Sequence, residues 1–243
     1  MKVIGVVTDM GENADRFLAA FNSIEKALKD QLNMHRHFSF SRMIDGAKKK
    51  HPLIAKYEMD LKKFAELRNV IVHEQTAPDF VIAEPHREVV QMIEKVHREL
   101  ISPEMVIPKY KRQVKTFNID DPLETVLGTI ERHAYTQFPI YENGKFKCLL
   151  TNYGITAWLA HHRDQFAFEV DKVKLSDVII YEKHMNNVKF VCVNKSIYDV
   201  KELFLHHIDK KVTRLEAVLI TENGNPNDPL LGIVTPFDAI RIP

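Results

Sequence analysis

The first hundred residues carry apolar side chains at helical spacing. In ADRFLAAFNSIEKALKDQL, Phe17, Phe21, Ile24 and Leu28 recur every three or four residues, so they form one apolar stripe on a helix. Three more segments show such a stripe: FSRMIDGAKKK, the run after Pro52 and the run after Pro85. Since the connections are short, the pattern predicts an antiparallel four-helix bundle over residues 1–101.

The pattern changes after the segment SPEMVIPKYKR, residues 102–112, which carries two prolines and a basic tail and is predicted to be a linker. Beyond it, short β-branched runs alternate with helical runs in the order strand, helix, strand, strand, helix. The order occurs twice, over about 113–164 and about 186–243. The sequence therefore predicts an α+β protein: a helical bundle followed by two α/β repeats.

Turn and cap signals support the repeat. Asn143-Gly144 and Asn223-Gly224 each stand between two strand-like runs, and Asn-Gly favours a tight hairpin because both residues tolerate positive φ. The second turn is lengthened by the residues that follow it. Before the first helix of each repeat, DPLE (121–124) and SIYD (196–199) place a capping residue three positions ahead of a carboxylate.

The last strand of the second repeat ends in GIVTPFD, residues 232–238. Thr235 suits the N-cap of the following helix, Pro236 its first position and Asp238 its third. A threonine cap explains this pattern without any ligand. The same geometry can also bind one: the helix start and the Thr235 hydroxyl would bind a phosphate, and the Asp238 carboxylate would accept hydrogen bonds from a ribose diol.

The tandem order, the turn positions and GIVTPFD resemble a pair of CBS domains (a Bateman module). The resemblance implies a regulatory adenosyl ligand, namely AMP, ADP, ATP or S-adenosylmethionine, with no other cofactor required. The ligand-binding residues it implies are Gly232, Ile233, Thr235, Pro236 and Asp238. In the first repeat, LLTNYG keeps Thr151 but has Gly154 in place of the carboxylate, so we expect one nucleotide site rather than two.

A second candidate site lies in LRNVIVHE, residues 67–74, late in the bundle. Asn69 and His73 are four apart and share a helix face, whereas Arg68 lies roughly 140° round the axis from His73. One helix therefore focuses all three on one phosphate poorly, but two copies meeting at a two-fold axis would bring both sets together.

Position and spacing of this set resemble the HEPN superfamily over roughly residues 13–101. The resemblance implies a metal-independent endoribonuclease centre at a homodimer interface, with RNA as a candidate partner. His73 would take the proton from a 2′-hydroxyl, Arg68 would stabilise the phosphorane and Asn69 would orient the phosphate or the imidazole. The alternative is an ordinary solvated helix face, with Arg68 and His73 paired to neighbouring glutamates.

Charge and composition narrow these readings. The formal net charge is +1, and residues 1–101 hold 16 basic and 15 acidic residues, so the charges are balanced in both halves of the chain. Neither half is therefore expected to form a broad basic surface for nucleic acid. Adjacent histidines on helices make no chelate, so no metal site is predicted. No run approaches the ~20 apolar residues of a membrane span, and Cys148 and Cys192 in strand-like runs suit buried thiols. We expect a cytoplasmic protein without membrane association.

The hypothesis that best combines these features is a homodimeric regulatory protein whose CBS pair binds an adenosyl nucleotide and controls an HEPN-like domain. The alternatives are a nucleotide-gated ribonuclease using Arg68 and His73, and a purely structural dimerising module. The sequence leaves open which nucleotide binds, whether the first repeat binds anything, and what residues 1–12 do.

Overall fold

The computed structural model describes residues 11–31, 38–49, 51–73, 83–164, 169–183, 186–209 and 214–243. The chain divides into two compact units, residues 1–104 and 105–243. Residues 105–112 of the predicted linker thus belong to the second unit, where Val106 is fully buried and its N–H donates to the carbonyl of Lys195 at 2.9 Å.

The described part of the first unit is helical. Its helices are α1 (Glu12–Gln31), α2 (Phe40–Ala47), α3 (Pro52–Lys56), α4 (Glu58–His73) and α5 (Arg87–Ile101). α1 packs along α5, and α2 packs on α4. The predicted apolar stripes form its core, with Phe17, Ile24, Ile54, Leu61 and Ile93 buried. The predicted third helix is interrupted at Tyr57, whose backbone leaves helical geometry and separates α3 from α4.

The second unit contains two copies of one arrangement. The first comprises α6 (Val106–Lys109), β1 (Phe117–Asn118), α7 (Leu123–His133), β2 (Gln137–Glu142), β3 (Lys145–Thr151) and α8 (Asn152–His161). A connecting helix, α9 (Leu175–Ile179), follows. The second comprises β4 (Val188–Cys192), α10 (Ile197–Asp209), β5 (Ala217–Thr221), β6 (Gly232–Val234) and α11 (Pro236–Ile240). The fold is α+β, as the sequence predicted.

Each repeat contributes a three-stranded sheet with identical topology. β1 pairs in parallel with β2, which pairs antiparallel with β3; β4, β5 and β6 repeat this scheme. The middle strand β5 is buried along its whole length. Cys148 is buried and Cys192 is half-buried, and both are free thiols, so the expectation of two buried thiols holds only for Cys148.

The predicted hairpin turns and helix caps are present in one repeat each. Asn143 and Gly144 adopt positive φ and form the predicted tight turn, whereas in the second repeat only Gly224 does so, because the residues inserted after it widen the loop. Ser196 and Asp199 form the predicted cap, with Asp199 accepting from the Ser196 hydroxyl at 2.9 Å. The corresponding cap at Asp121 is wrong: its carboxylate accepts from the backbone N–H of Asn118 at 2.8 Å instead.

Candidate functional site

The junction between β6 and α11 has the predicted capping geometry. Thr235 is the N-cap, Pro236 stands at the start of the helix and Asp238 is the third helical residue. The Oδ2 atom of Asp238 accepts hydrogen bonds from the backbone N–H and the hydroxyl of Thr235, both at 2.9 Å. The carboxylate is therefore fixed at the strand-to-helix junction, half-buried.

Arg112 contacts the same carboxylate oxygen. Its Nη2 donates to Oδ2 of Asp238 at 2.7 Å, and its Nε donates to the carbonyl of Ile233 at 2.9 Å. A guanidinium bridge thus joins the segment between α6 and β1 to the end of the last strand. These residues lie 126 positions apart, and the sequence offered no pairing signal for them.

The backbone around Arg112 is held against β6. Lys111 pairs with Gly232 as an antiparallel bridge, and the N–H of Arg112 donates to the carbonyl of Leu231 at 3.1 Å. Gly232 permits this approach, because a Cβ atom at that position would press on the Tyr110 carbonyl, 3.1 Å from its carbon. The predicted site residues Gly232 and Ile233 thus support Arg112.

A crevice of about 320 Å³ borders this junction, lined by Lys109, Tyr110, Lys111, Arg112, Asp238 and Arg241. Four of these six residues are cationic and one is acidic, so the crevice has a positive potential. Arg241 lies over the ring of Phe237, 4.3 Å from its centroid. The basic residues 109–112 were visible in the sequence as the tail of the predicted linker, but nothing indicated that this tail borders α11.

The Asp238 carboxyl is held in its ionised form. Its partial burial raises the pKa, but the hydrogen bonds from Thr235 and Arg112 outweigh burial and bring the pKa below its ordinary value of 3.8. At neutral pH the crevice therefore contains a carboxylate that can accept hydrogen bonds from hydroxyl groups, beside cations that attract phosphate.

The corresponding junction of the first repeat is closed by a different residue. Thr151 caps α8, and its backbone N–H and hydroxyl donate to Oε2 of Glu182 at 3.0 and 2.7 Å. A Cβ atom at Gly154 would lie 2.8 Å from the same oxygen. Glu182 thus takes the place of the acidic residue that the repeat lacks at position 154, and Gly154 provides the space.

This Glu182 carboxylate is not presented to solvent. Glu182 is only 3% exposed, and its other oxygen, Oε1, has no hydrogen-bond partner among the described residues. The thiol of the nearby Cys148 lies in the same environment. Burial, which is the larger cause, and the charge of Glu182 raise the pKa of this thiol to about 12. The sequence showed that position 154 lacks a carboxylate, but not that another segment supplies one.

The second predicted set lies near the end of α4. Arg68 is half-buried, Asn69 is exposed, and Nη1 of Arg68 donates to Oδ1 of Asn69 at 3.4 Å. His73 is the last residue of the helix, and its side chain lies outside the described residues. The structure thus places Arg68 beside Asn69, while the geometry of the predicted triad stays a prediction.

The described residues also bear on metal binding and on membrane insertion. Within those ranges, no group of three or more histidine, cysteine or acidic side chains is placed to hold a metal ion. Likewise, none of the helices in the described part of the chain combines the length and apolarity needed to cross a membrane.

Comparison with known proteins identifies one family. Residues 107–161 match the family model of the CBS domain. This range begins inside the segment that carries Arg112 and ends with α8, so it covers the first repeat. This segment is thus similar to the CBS domain. Among curated proteins, no sequence matches the chain.

Solved structures of CBS-domain proteins resemble the chain at low identity. One is the CBS domain of a CBS-domain-containing membrane protein from Sphaerobacter thermophilus, with 17% identity over 65% of this chain and 98% of that one, at a TM-score of 0.42. Another is a CBS-domain protein of unknown function from Thermoplasma acidophilum, with 15% identity over 57% and 68% and a TM-score of 0.41. A third is a CBS-domain-containing protein from Agrobacterium tumefaciens, with 17% identity over 54% and 84% and a TM-score of 0.38.

Proposed function

We propose that the second unit is a regulatory module that binds an adenosyl nucleotide in the crevice beside Thr235 and Asp238. The observation that carries this proposal is the ionised Asp238 carboxylate, fixed by Thr235 next to four cationic side chains. A nucleotide combines a hydroxyl-rich sugar with an anion, and this crevice offers an acceptor for the first and donors for the second. The CBS match at residues 107–161 supports a regulatory nucleotide-binding role.

The roles of the residues follow from their chemistry. Asp238 accepts hydrogen bonds from the ribose diol, while Lys109, Lys111, Arg112 and Arg241 surround the phosphates. α11 is only five residues long, so its helix dipole contributes little and the side-chain cations supply most of the positive charge. Gly232 and Ile233 hold the basic segment in place, and Pro236 starts the helix.

The regulated partner in this proposal is the helical first unit, with its HEPN-like sequence. A ligand shifts a conformational equilibrium only by its difference in affinity for the two states. The nucleotide must therefore favour one arrangement of a homodimer over another, and the segment 105–112, which follows the boundary between the units, is the covalent route by which this preference reaches the first unit.

A ribonuclease activity of the first unit is the second candidate. It is favoured by the contact between Arg68 and Asn69, which places a guanidinium and an amide side by side near the end of α4. In that case, the nucleotide would gate cleavage of RNA at Arg68 and His73. The sensor and the ribonuclease are compatible, because the enzyme adds one activity to the same regulatory scheme.

A thermal-shift panel tests the nucleotide proposal. AMP, ADP, ATP and S-adenosylmethionine are added separately to the full chain, with inorganic tripolyphosphate as the control for unselective anion binding. At about 100 times its Kd, a ligand stabilises the folded state by about 2.7 kcal/mol, which moves the melting temperature measurably. We expect at least one nucleotide to exceed the tripolyphosphate shift. Absence of any shift would overturn the proposal and favour the structural module.

A further inference from the structure

Three donors converge on one oxygen of Asp238. The N–H and hydroxyl of Thr235 and the Nη2 of Arg112 all contact Oδ2, at 2.9, 2.9 and 2.7 Å. An ionised carboxylate has about four lone-pair sites over its two oxygens, about two on each, so three donors exceed the sites of a single oxygen. The Thr235 donors belong to the local cap, whereas Arg112 comes from a distant segment. Arg112 is therefore the donor that can leave without undoing the cap.

We propose that Arg112 exchanges partners when a nucleotide binds: its guanidinium moves from the Asp238 carboxylate to a phosphate of the ligand. This inference rests on the nucleotide site proposed above and adds how its occupancy is sensed. Before binding, the guanidinium occupies Asp238, so an incoming ribose has to compete with it for the carboxylate. After binding, the phosphate holds the guanidinium, and Asp238 accepts from the ribose diol.

The chemistry of the two partners favours the exchange. A guanidinium pairs with phosphate through two parallel N–H donors, and a terminal phosphate carries about two negative charges where a carboxylate carries one. The side chain of Arg112 is 44% exposed, so a change of partner requires no opening of a core. Its backbone stays in place, because Lys111 and Arg112 are bonded to β6.

The remaining cations determine the ligand class. Lys109, Lys111 and Arg241 line the crevice with Arg112, and four cations against one carboxylate leave a net formal charge of three positive. A single phosphate satisfies part of this charge, and a second or third phosphate satisfies more. The crevice is therefore selective for a nucleoside di- or triphosphate over the monophosphate and the bare nucleoside.

Calorimetric titration of the full chain with adenosine, AMP and ADP tests the exchange. The variants are Arg112→Gln and the matched control Arg163→Gln, which removes an arginine whose side chain is 77% exposed and pairs with its neighbour Asp164. Wild type and the control should bind ADP at least about tenfold more tightly than AMP, the factor expected of one charge-assisted hydrogen bond. Arg112→Gln should bind ADP about tenfold more weakly than wild type does. It should bind adenosine more tightly than wild type does, because the ribose no longer competes with Arg112 for Asp238.

The opposite changes in affinity separate an exchange from a structural role, since a misfolded crevice would weaken adenosine and ADP together. Arg112→Lys keeps the charge without the paired donors and should lie between wild type and Arg112→Gln for ADP. Unchanged or weaker adenosine binding by Arg112→Gln, or equal affinity of wild type for ADP and AMP, would overturn the exchange alone. If wild type binds none of the three, and neither ATP nor S-adenosylmethionine shifts its melting temperature, the proposed function is overturned as well.

Discussion

Glu182 accepts hydrogen bonds from the backbone N–H of Thr151 at 3.0 Å and from its hydroxyl at 2.7 Å. Thr235 gives the same two donors to Asp238 at the other repeat. The two junctions thus share one capping arrangement, but the first carboxylate comes from a distant segment and is buried, whereas the second belongs to its own helix and borders a crevice. This difference is the physical reason for which we propose a ligand site at the second junction and not at the first.

Replacing the distant carboxylate by a local one should preserve the first junction. Glu182→Ala leaves the Thr151 donors without an acceptor and should cost about 1–3 kcal/mol in the free energy of unfolding. Gly154→Asp alone should also destabilise, because its Cβ meets Oε2 of Glu182 at 2.8 Å. The double variant should recover part of the loss, since an aspartate at 154 has the same spacing from Thr151 as Asp238 has from Thr235. Its Cβ still meets Cδ1 of the buried Leu150 at 2.9 Å, so recovery should be incomplete.

Urea denaturation of the four proteins measures this coupling, with Glu202→Ala on the exposed face of α10 as the control for loss of one charge. Recovery in the double variant supports substitution of one carboxylate by the other. Losses that simply add would contradict it.

The close approach at Gly232 predicts a strong effect of a single methyl group. Gly232→Ala places its Cβ against the Tyr110 carbonyl, so the segment that carries Arg112 must shift. We expect about 1–3 kcal/mol of destabilisation, the usual cost of overpacking, together with weaker nucleotide binding. Gly128→Ala is the matched control, because its Cβ meets only the flexible end of Arg132 within a helix and should be neutral or stabilising. Equal melting temperatures of the two variants would contradict the close approach.

The lowered pKa of Asp238 predicts a specific loss of stability in acid. A carboxyl whose pKa is lower in the folded than in the unfolded state contributes stability above its unfolded pKa, and this contribution disappears as the pH falls through the folded pKa. Wild type should therefore lose more stability than Asp238→Asn between about pH 5 and pH 3. Parallel curves of unfolding free energy against pH would show that Asp238 is not held ionised by Arg112 and Thr235.

The set at the end of α4 predicts chelator-resistant cleavage of RNA. Wild type should generate products with 2′,3′-cyclic phosphate ends in the presence of chelator. His73→Ala should cleave RNA at least about a hundredfold more slowly, because a general base usually contributes a factor of that size or more. His86→Ala is a suitable control, because this exposed residue precedes α5 without a side-chain cap. Equal rates for wild type and His73→Ala would remove the ribonuclease candidate.

The features that the sequence predicts correctly depend on nearby residues. The stripe through Phe17 and Ile24, the turn at Asn143 and Gly144, and the Thr235 cap each depend on spacings of four residues or fewer. Periodicity and local hydrogen bonding determine such features, so a single sequence contains them.

The features that the sequence does not predict join distant positions. Arg112 meets Asp238 across 126 positions and Glu182 meets Thr151 across 31, and no periodicity marks either pair. The basic tail at residues 109–112 was visible, but its position beside α11 depends on the pairing of Lys111 with Gly232. The tertiary fold therefore creates the charge of the crevice, even though each charged residue is apparent in the sequence.

Titration calorimetry of wild type and Asp238→Ala with ATP and with inorganic tripolyphosphate tests the nucleotide site most directly, with the 88%-exposed Asp164 changed to alanine as the control. Wild type and Asp164→Ala should bind ATP at least about tenfold more tightly than tripolyphosphate, because Asp238 holds the ribose. In Asp238→Ala the two ligands should bind equally. A variant that keeps the full preference for ATP would contradict nucleotide recognition at this junction.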